Sequence, residues 1–227
     1  MTPRRGQDRH IGLRTIPDLF EDTPGEVELA PGAMLLSGFT RPFEAALMEA
    51  LQRVVDVAPF RHMLTPGGRR MSVAMTNCGE AGWISDRAGY RYSGQDPQNG
   101  RPWPAMPEAF LELAAKAAAR AGFAGFAPDA CLVNRYAPGA RLTLHQDRDE
   151  RDFTAPIVSV SLGLPAVFLF GGERRAERPQ RVALAHGDVV VWGGPARLRY
   201  HGVLPLEEGR HRATGRHRIN LTLRKAG

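Results

Sequence analysis

From Ala130 to its C-terminus the chain is written in short strands. Eight segments, CLVNRY, RLTLHQD, PIVSVSLG, AVFLF, QRVALA, DVVVW, RYHGV and RINLTLR, follow one another with Gly, Pro and Asp between them. Successive side chains on a strand point to opposite faces. A run of eight such strands predicts a sandwich or barrel. Two helical patterns precede it. In FEAALMEALQRVVDVA, residues Phe43, Ala46, Leu47, Ala50, Leu51, Val54 and Val55 share one stripe, with Thr40 placed to cap the helix and Pro42 near its first turn. PEAFLELAAKAAARAGF supplies the second helix, opened by Pro107.

Residues 62–106 lie between the helices and are rich in Gly, Pro, Trp and Tyr. They predict short strands and long loops, with QNG as a tight turn. No fixed-period repeat and no strong linker interrupts the chain. The expectation is therefore a mostly β fold with flanking helices (α+β), the helices packed on one β core. Residues 1–14 predict a flexible leader of mixed charge.

Composition narrows the function classes. No apolar run approaches the roughly 20 residues that a membrane helix needs. The basic N-terminus lacks the apolar stretch of a secretory signal. Cys78 and Cys131 are the two cysteines, too few for a disulfide framework, and read as reduced thiols. A cytoplasmic protein is expected, without membrane attachment, and a monomer, since nothing suggests a dedicated interface. The net charge of +6 is nearly all arginine, as Lys116 and Lys225 are the only lysines. Excess cations suit a phosphate backbone, although arginine-rich composition alone produces the same figure.

Two His-x-Asp strings compete as metal sites. In LTLHQDRDE, His145 and Asp147 would share a strand face, offering an imidazole beside a carboxylate. That is two-thirds of a facial triad for Fe(II), and His201 of RYHGV is a third ligand from a short apolar segment. A solvated hairpin with a chance histidine remains the alternative. In AHGDVVVW, Gly187 and Asp188 read as a turn entering a buried run, and His186 and Asp188 are expected to be structural.

The last strand places Arg218, Asn220, Thr222 and Arg224 on one face and Ile219, Leu221 and Leu223 on the other. Inside a closed core the two arginines need anions, and a dicarboxylate would meet them in bidentate fashion. As an edge strand, the same face would simply meet water. Asn134 and Tyr136 share a face in LVNRYAPGARL and could add neutral donors.

NRYAPGARLTLHQDRDE, APIVSVSLGLPAVFLFGG, HGDVVVWGG, RYHGV and RINLTLRKAG, in this order and spacing, resemble the AlkB family of bacterial Fe(II)- and 2-oxoglutarate-dependent dioxygenases that repair alkylated DNA. TPGGRRMSVAMTNCGEAGW and DPQNGRPWPAMP resemble that family's substrate-binding lid. The resemblance runs from about residue 15 to the C-terminus. It implies one dioxygenase domain over 15–227, a double-stranded β-helix (jelly roll) at about 130–227, and an N-terminal lid at about 62–106.

The resemblance also implies roles. His145, Asp147 and His201 would hold Fe(II). Arg218 and Arg224 would hold the 2-oxoglutarate carboxylates, helped by Asn134, Tyr136 and Asn220, with O2 as the third reactant. Trp83 would stack on a flipped base, although its own surroundings in the sequence suit a core residue better. Met75 and Tyr90 would line the base pocket or touch the DNA, with Asp149 and Arg175 beside the base. The implied reaction is oxidative demethylation of 1-methyladenine and 3-methylcytosine in single- or double-stranded DNA, releasing succinate, CO2 and formaldehyde. The same chemistry on RNA is one alternative, and a non-catalytic nucleic-acid-binding module is another. Arg69 stands where the family has an aromatic residue and Asp86 where it has a basic one, which leaves sequence preference and DNA affinity open.

Overall fold

The structure is a computed structural model that describes residues 25–227. The expected leader at 1–14, and the start of the domain at 15, lie outside the described residues. The strands are β1 (Gly25–Ala30), β2 (Ala33–Ser37), β3 (Arg61–Leu64), β4 (Arg70–Gly79), β5 (Gly82–Asp86), β6 (Gly89–Ser93), β7 (Ala130–Tyr136), β8 (Leu142–His145), β9 (Ile157–Gly163), β10 (Ala166–Phe170), β11 (Gln180–Leu184), β12 (Val189–Trp192), β13 (His201–Val203) and β14 (Arg218–Arg224). The helices are α1 (Glu44–Val57) and α2 (Glu108–Arg120).

One sheet runs β1-β2-β12-β9-β14-β7-β4-β3 and a second runs β11-β10-β13-β8, while β5 and β6 form a separate hairpin. Alternation decides which residues go where. Ile157, Val190 and Trp192 of the large sheet share a core with Phe168, Phe170, Val182 and Val203 of the small one. Their neighbours Val158, Val191 and Leu221 point the other way and meet Leu47 and Leu51 of α1 and Phe110, Leu113 and Ala117 of α2. Two facing antiparallel sheets with helices on one outer face make the expected jelly roll.

All eight strands read from the C-terminal half are present, but the large sheet draws on more of the chain. β1 and β2 were not anticipated. Ten-residue β4 lies within the segment expected to be short strands and loops, yet it pairs with β7 from Ala74↔Arg135 to Gly79↔Ala130. The QNG turn forms as expected: Gly100 N–H donates to Asp96 O at 2.8 Å, with Gly100 at φ +68.

Three helix details differ from expectation. Thr40 does not cap α1. A 3-10 turn, Arg41–Phe43, intervenes, and Thr40 has φ −79 and ψ −5 with no side-chain cap bond. A capping residue needs extended backbone to turn its oxygen onto the free N–H groups. Ala46 is exposed, although the rest of the predicted α1 stripe is buried or half-buried. Pro107 sits just before α2 in extended conformation rather than within its first turn.

Leu221 is fully buried between the large sheet and the helices. Truncation there leaves a cavity that packed neighbours cannot close. Leu221→Ala is expected to lower unfolding stability by about 2–5 kcal/mol. Urea denaturation of both proteins checks this, and a loss under about 1 kcal/mol would show that helices and sheet are not packed as described.

Candidate active site

Between the two sheets lies a cavity of about 510 Å³. Cross-strand register brings its histidines together. β13 pairs with β8 so that His201 stands directly opposite His145, with a register shift between His201 and Val203. Gly202 permits this approach, because a Cβ there would sit 2.8 Å from Leu142 O. The imidazole centroids are 4.4 Å apart. His145 Nδ1 lies 2.8 Å from Thr143 O and His201 Nδ1 lies 3.1 Å from Arg199 O. A carbonyl only accepts, so each Nδ1 carries the proton and each Nε2 keeps a free lone pair.

Asp147 completes the cluster from a different position than expected. β8 ends at His145, so Asp147 lies beyond the strand and not two places along it. Its carboxylate still converges, 3.8 Å from His145 Nε2 and 3.7 Å from His201 Nε2. The ligand atoms of all three residues lie within 4.8 Å of one another. Two imidazoles and one carboxylate on one side of a cavity are the donor set of a facial Fe(II) site with open positions. Burial would raise the Asp147 carboxyl, but the Arg224 guanidinium and the two imidazoles hold it well below the usual carboxylate range. Burial, reinforced by His145, brings His201 down to about 4. At neutral pH both groups are therefore in the state a metal requires.

β14 supplies the opposite wall. Arg218, Asn220, Thr222 and Arg224 face the cavity, beside Asn134 and Tyr136 of β7. The register pairs Arg218 with Tyr136 and Asn220 with Asn134. The two arginines differ. Arg224 Nε and Nη2 reach Asp147 Oδ2 at 2.9 and 2.7 Å. Arg218 is buried, donates from Nη2 to Ser161 Oγ at 3.0 Å, and has no partner at Nε or Nη1. Its guanidinium lies 5.1 Å from the Tyr136 ring centroid. Burial pushes the Tyr136 hydroxyl up to about 12 against the lowering effect of Arg218, so it stays protonated and able to donate. Asn220 lines the cavity and is also tied into the sheet. Its amide nitrogen donates to Ser159 Oγ at 2.8 Å and to Val160 O at 2.9 Å.

The mouth is built by the β5–β6 hairpin and the loop after β8. Trp83, Tyr90, Met75, Asp149 and Arg175 all line the cavity. Met75 is buried at its base and Tyr90 is half exposed. Asp86 pairs with Arg91 at 2.7 Å on the hairpin's outer end, which spends its charge locally.

Sequence reasoning missed four residues of this site. Glu150 and Arg197 form a buried ion pair at 3.1 Å. Arg197 also donates to Asp147 O at 3.0 Å, and Tyr92 donates its hydroxyl to Glu150 Oε1 at 2.6 Å. Asn77 on β4 holds the Trp83 backbone from both sides, at 3.0 Å each. None of the four carries a spacing signal; Glu150 is distinguished only by falling in the charged run after Asp147.

The rival His-x-Asp is the expected turn. Asp188 accepts from Gly38 N–H and Ala185 N–H, each at 2.8 Å, and Gly187 has φ +95. His186 Nδ1 accepts from Gly163 N–H at 2.8 Å and its ring stacks on His211.

A jelly roll holding a His, Asp, His cluster opposite a buried arginine defines a class, the non-haem iron oxygenases that use 2-oxoglutarate. Residues 32–224 match the 2OG-Fe(II) oxygenase superfamily. The chain is 56% identical to the alpha-ketoglutarate-dependent dioxygenase AlkB of Salmonella typhimurium over 210 residues, covering 92% of this chain and 97% of that one. It is equally similar to the AlkB of Escherichia coli, over 92% of this chain and 98% of that one. The solved structure of OsALKBH1 superimposes with a TM-score of 0.74 at 27% identity, covering 88% of this chain and all of that one. Over shorter stretches the chain is 45% identical to the DNA N(6)-methyladenine demethylase ALKBH1D of Arabidopsis thaliana, covering 43% of this chain and 24% of that one. It is 36% identical to the tRNA demethylase abh1 of Schizosaccharomyces pombe, covering 48% of this chain and 35% of that one. The chain belongs to the AlkB family of the 2OG-Fe(II) oxygenases, and it is a dioxygenase that uses Fe(II), 2-oxoglutarate and O2. Among the described residues no helix is long and apolar enough to cross a membrane.

The lowered His201 value has a stability consequence. Above the unfolded value of 6.5 both states hold His201 neutral and it contributes nothing. As pH falls from 6.5 through about 4, the unfolded chain takes up a proton that the folded one refuses, and stability drops. In metal-free protein, His201→Gln is expected to flatten that part of the curve. Urea midpoints between pH 7 and pH 4 measure it, and an unchanged slope would contradict the neutral, buried histidine.

Proposed function

We propose that this protein removes N-methyl groups from alkylated bases in DNA, with His145, Asp147 and His201 holding Fe(II) and Arg218 holding a carboxylate of 2-oxoglutarate. The observation that carries the reading is Arg218. A guanidinium taken out of water with two nitrogens unpartnered is costly unless an anion meets it. It lines the same cavity as three converging metal ligands. A dicarboxylate co-substrate answers both features, and a binding module needs neither.

Iron(II), with 2-oxoglutarate and O2, supplies the oxidation of the methyl C–H bond. The chain's own residues position the reactants. The carbonyls of Thr143 and Arg199 aim the two imidazoles, and Arg224 and Arg197 fix Asp147 by its carboxylate and its backbone. Arg218 and the protonated Tyr136 hydroxyl offer donors to the co-substrate, with Asn134 beside them. Arg224 is positioned both to steady Asp147 and to face the co-substrate. Trp83, Tyr90 and Met75 receive a base that has left its duplex, as it must to expose a ring nitrogen. Asp149 and Arg175 lie at the rim. Once hydroxylated, the methyl group leaves as formaldehyde.

The substrates are 1-methyladenine and 3-methylcytosine, in a cytoplasmic enzyme acting as a monomer. RNA is the second reading, supported by the similarity to a protein named as a tRNA demethylase. The test incubates the protein with Fe(II), ascorbate, 2-oxoglutarate and DNA or RNA oligonucleotides carrying either lesion. Base reversal and succinate are measured together. Turnover of DNA is expected; turnover of RNA alone would shift the substrate, and turnover of neither would end the repair reading.

Two sets of variants check the residue roles. His201→Ala is expected to abolish Fe(II)-dependent turnover, whereas His186→Ala should keep the metal set. Loss of iron binding in the second but not the first would reverse the assignment. Hydrogen bonds to charged groups contribute about 1.5–3 kcal/mol. Arg218→Ala should therefore raise the KM for 2-oxoglutarate by about 10- to 100-fold. An unchanged KM would remove Arg218 from the co-substrate site.

A further inference from the structure

The turn at His186–Asp188 holds no metal, yet three of its groups grip one strand end. Pairing of β12 with β9 stops at Val189↔Val160. Ser161, Leu162 and Gly163 run on beside β14, and on their other side the turn takes the place of a strand. Gly187 N–H donates to Ser161 O and Ser161 N–H donates to Asp188 O, each at 2.8 Å. Two residues on, the buried Gly163 N–H points the same way and donates to His186 Nδ1 at 2.8 Å. An imidazole is thus the last acceptor of the ladder. Because Nδ1 accepts, the neutral ring keeps its proton on Nε2, which lies 3.4 Å from Glu44 Oε2.

The same corner is fixed from its far side. Gly163 has φ +94, and a Cβ there would sit 2.1 Å from Thr214 Oγ1 and 2.5 Å from His217 O. Leu164 N–H donates to His217 O at 3.1 Å. Gly163 is paired with Arg218, and Ser161 Oγ is the acceptor that Arg218 Nη2 reaches at 3.0 Å. The guanidinium is therefore set against the stretch of β9 that the turn holds.

We infer that His186 is a positioning residue for the co-substrate: by holding Gly163 N–H it fixes the end of β9, and through Ser161 it aims Arg218 at the carboxylate of 2-oxoglutarate remote from the metal. This rests on reading Arg218 as the co-substrate arginine. Arg224 is bound to Asp147 among the metal ligands, so the carboxylate left for Arg218 is the distant one. Arginine recognises a carboxylate with a planar fork, and a tilt of the fork costs the second bond. Arg218 has two unpartnered nitrogens and one serine hydroxyl to orient them. His186 is not among the residues lining the cavity, so it reaches the co-substrate through this chain of contacts. Without its ring, Gly163 N–H is buried with no acceptor, and the corner relaxes to find one.

The test separates recognition of the second carboxylate from everything else. Mn(II)-loaded protein is titrated calorimetrically with 2-oxoglutarate and with 2-oxopentanoate, which has the same chain but ends in a methyl group. The readout is the Kd for 2-oxopentanoate divided by the Kd for 2-oxoglutarate. His186→Leu is expected to lower this ratio about three- to tenfold, the span of one hydrogen bond's net contribution. His186→Asn puts an oxygen where Nδ1 stood and should keep the ratio within about twofold of wild type. In a Ser161→Ala background the added His186→Leu should change it less than about twofold. Mn(II) affinity and the Kd for 2-oxopentanoate should not move. A histidine that only stabilised the fold would weaken metal and both keto acids together and leave the ratio unchanged, which would overturn the inference. An equal loss in the Ser161→Ala background would overturn the route through Ser161.

Amide hydrogen exchange reads the bond itself. Gly163 N–H should exchange faster in His186→Leu than in wild type, and not in His186→Asn. Equal protection in all three would show that His186 does not hold the strand end. Should His186→Leu fail to fold, His186→Gln, whose oxygen lies one bond further out, replaces it in both measurements. Wild type that binds the two keto acids alike would remove Arg218 from the co-substrate site, and the inference would fall with that reading; a large wild-type ratio that His186→Leu leaves intact would overturn the inference alone.

Discussion

A seven-residue strand buried along its whole length carries two arginines on one face. β14 lies inside the large sheet, between β9 and β7, with every residue buried. Its apolar face is satisfied by the helices. Its polar face cannot be satisfied by a sheet, whose ladder bonds are made by the backbone. Each guanidinium therefore demands an anion or a set of acceptors. For Arg224 the fold provides them, in Asp147 and Glu150. For Arg218 it provides only neutral partners, a serine hydroxyl and the Tyr136 side chain, and no anion.

The rest of the site is arranged around this imbalance. Three buried arginines, Arg197, Arg218 and Arg224, face two buried carboxylates, Asp147 and Glu150. A divalent cation alone would add positive charge to a region already short of anions. A dianionic co-substrate with it restores the balance, so the metal and the dicarboxylate favour each other's binding through the same field. The arginine that lacks an anion is the one farther along β14 from the Asp147 ion pair. That separation leaves a place for a carboxylate that does not compete with the metal ligand's own partner.

The sequence made the scaffold legible where side chains alternate, and lost it where partners come from irregular segments. Alternation in RINLTLR divides Arg218, Asn220, Thr222 and Arg224 from Ile219, Leu221 and Leu223, and the fold turns the first set to the cavity and the second to the helix-side core. The run DVVVW read only as buried, and the structure divides it between Val190 and Trp192 on the inter-sheet side and Val189 and Val191 on the helix side. β1 escaped because GEVELA is exposed for most of its length and so has no buried face to mark it, and β2 escaped because AMLLS is five residues long and largely buried, with no clean polar alternation to mark it as a strand. Asp147 was placed on a strand that stops two residues earlier. The conclusion survived because the turn beyond β8 brings the carboxylate back to the imidazoles. Glu150, Arg197 and Tyr92 were illegible for a deeper reason. They come from three loops and edges that meet only once both sheets are formed. Burial of a charged residue is a property of the assembled fold and not of its neighbours in sequence.

Anchoring of the substrate side to the same frame follows from how the β5–β6 hairpin is held. A two-stranded hairpin is marginal alone. This one is tied to the core at four points: Asn77 to Trp83, Ser85 to Leu64 O, Trp103 to Ser93 O, and Tyr92 to Glu150. Asn77 is on β4, which pairs with β7, which pairs with β14. The anchor of the aromatic platform is thus two strands away from the arginines within the large sheet, and the hairpin itself is a separate sheet hung from it. Tyr92 closes the loop from the other side, because Glu150 also meets Arg224 and Arg197. A shift of the hairpin must strain either the Asn77 clamp or the buried ion network. In the proposed reading, such bracing would hold a base and a metal centre at a fixed separation, which a reaction at a single methyl group requires.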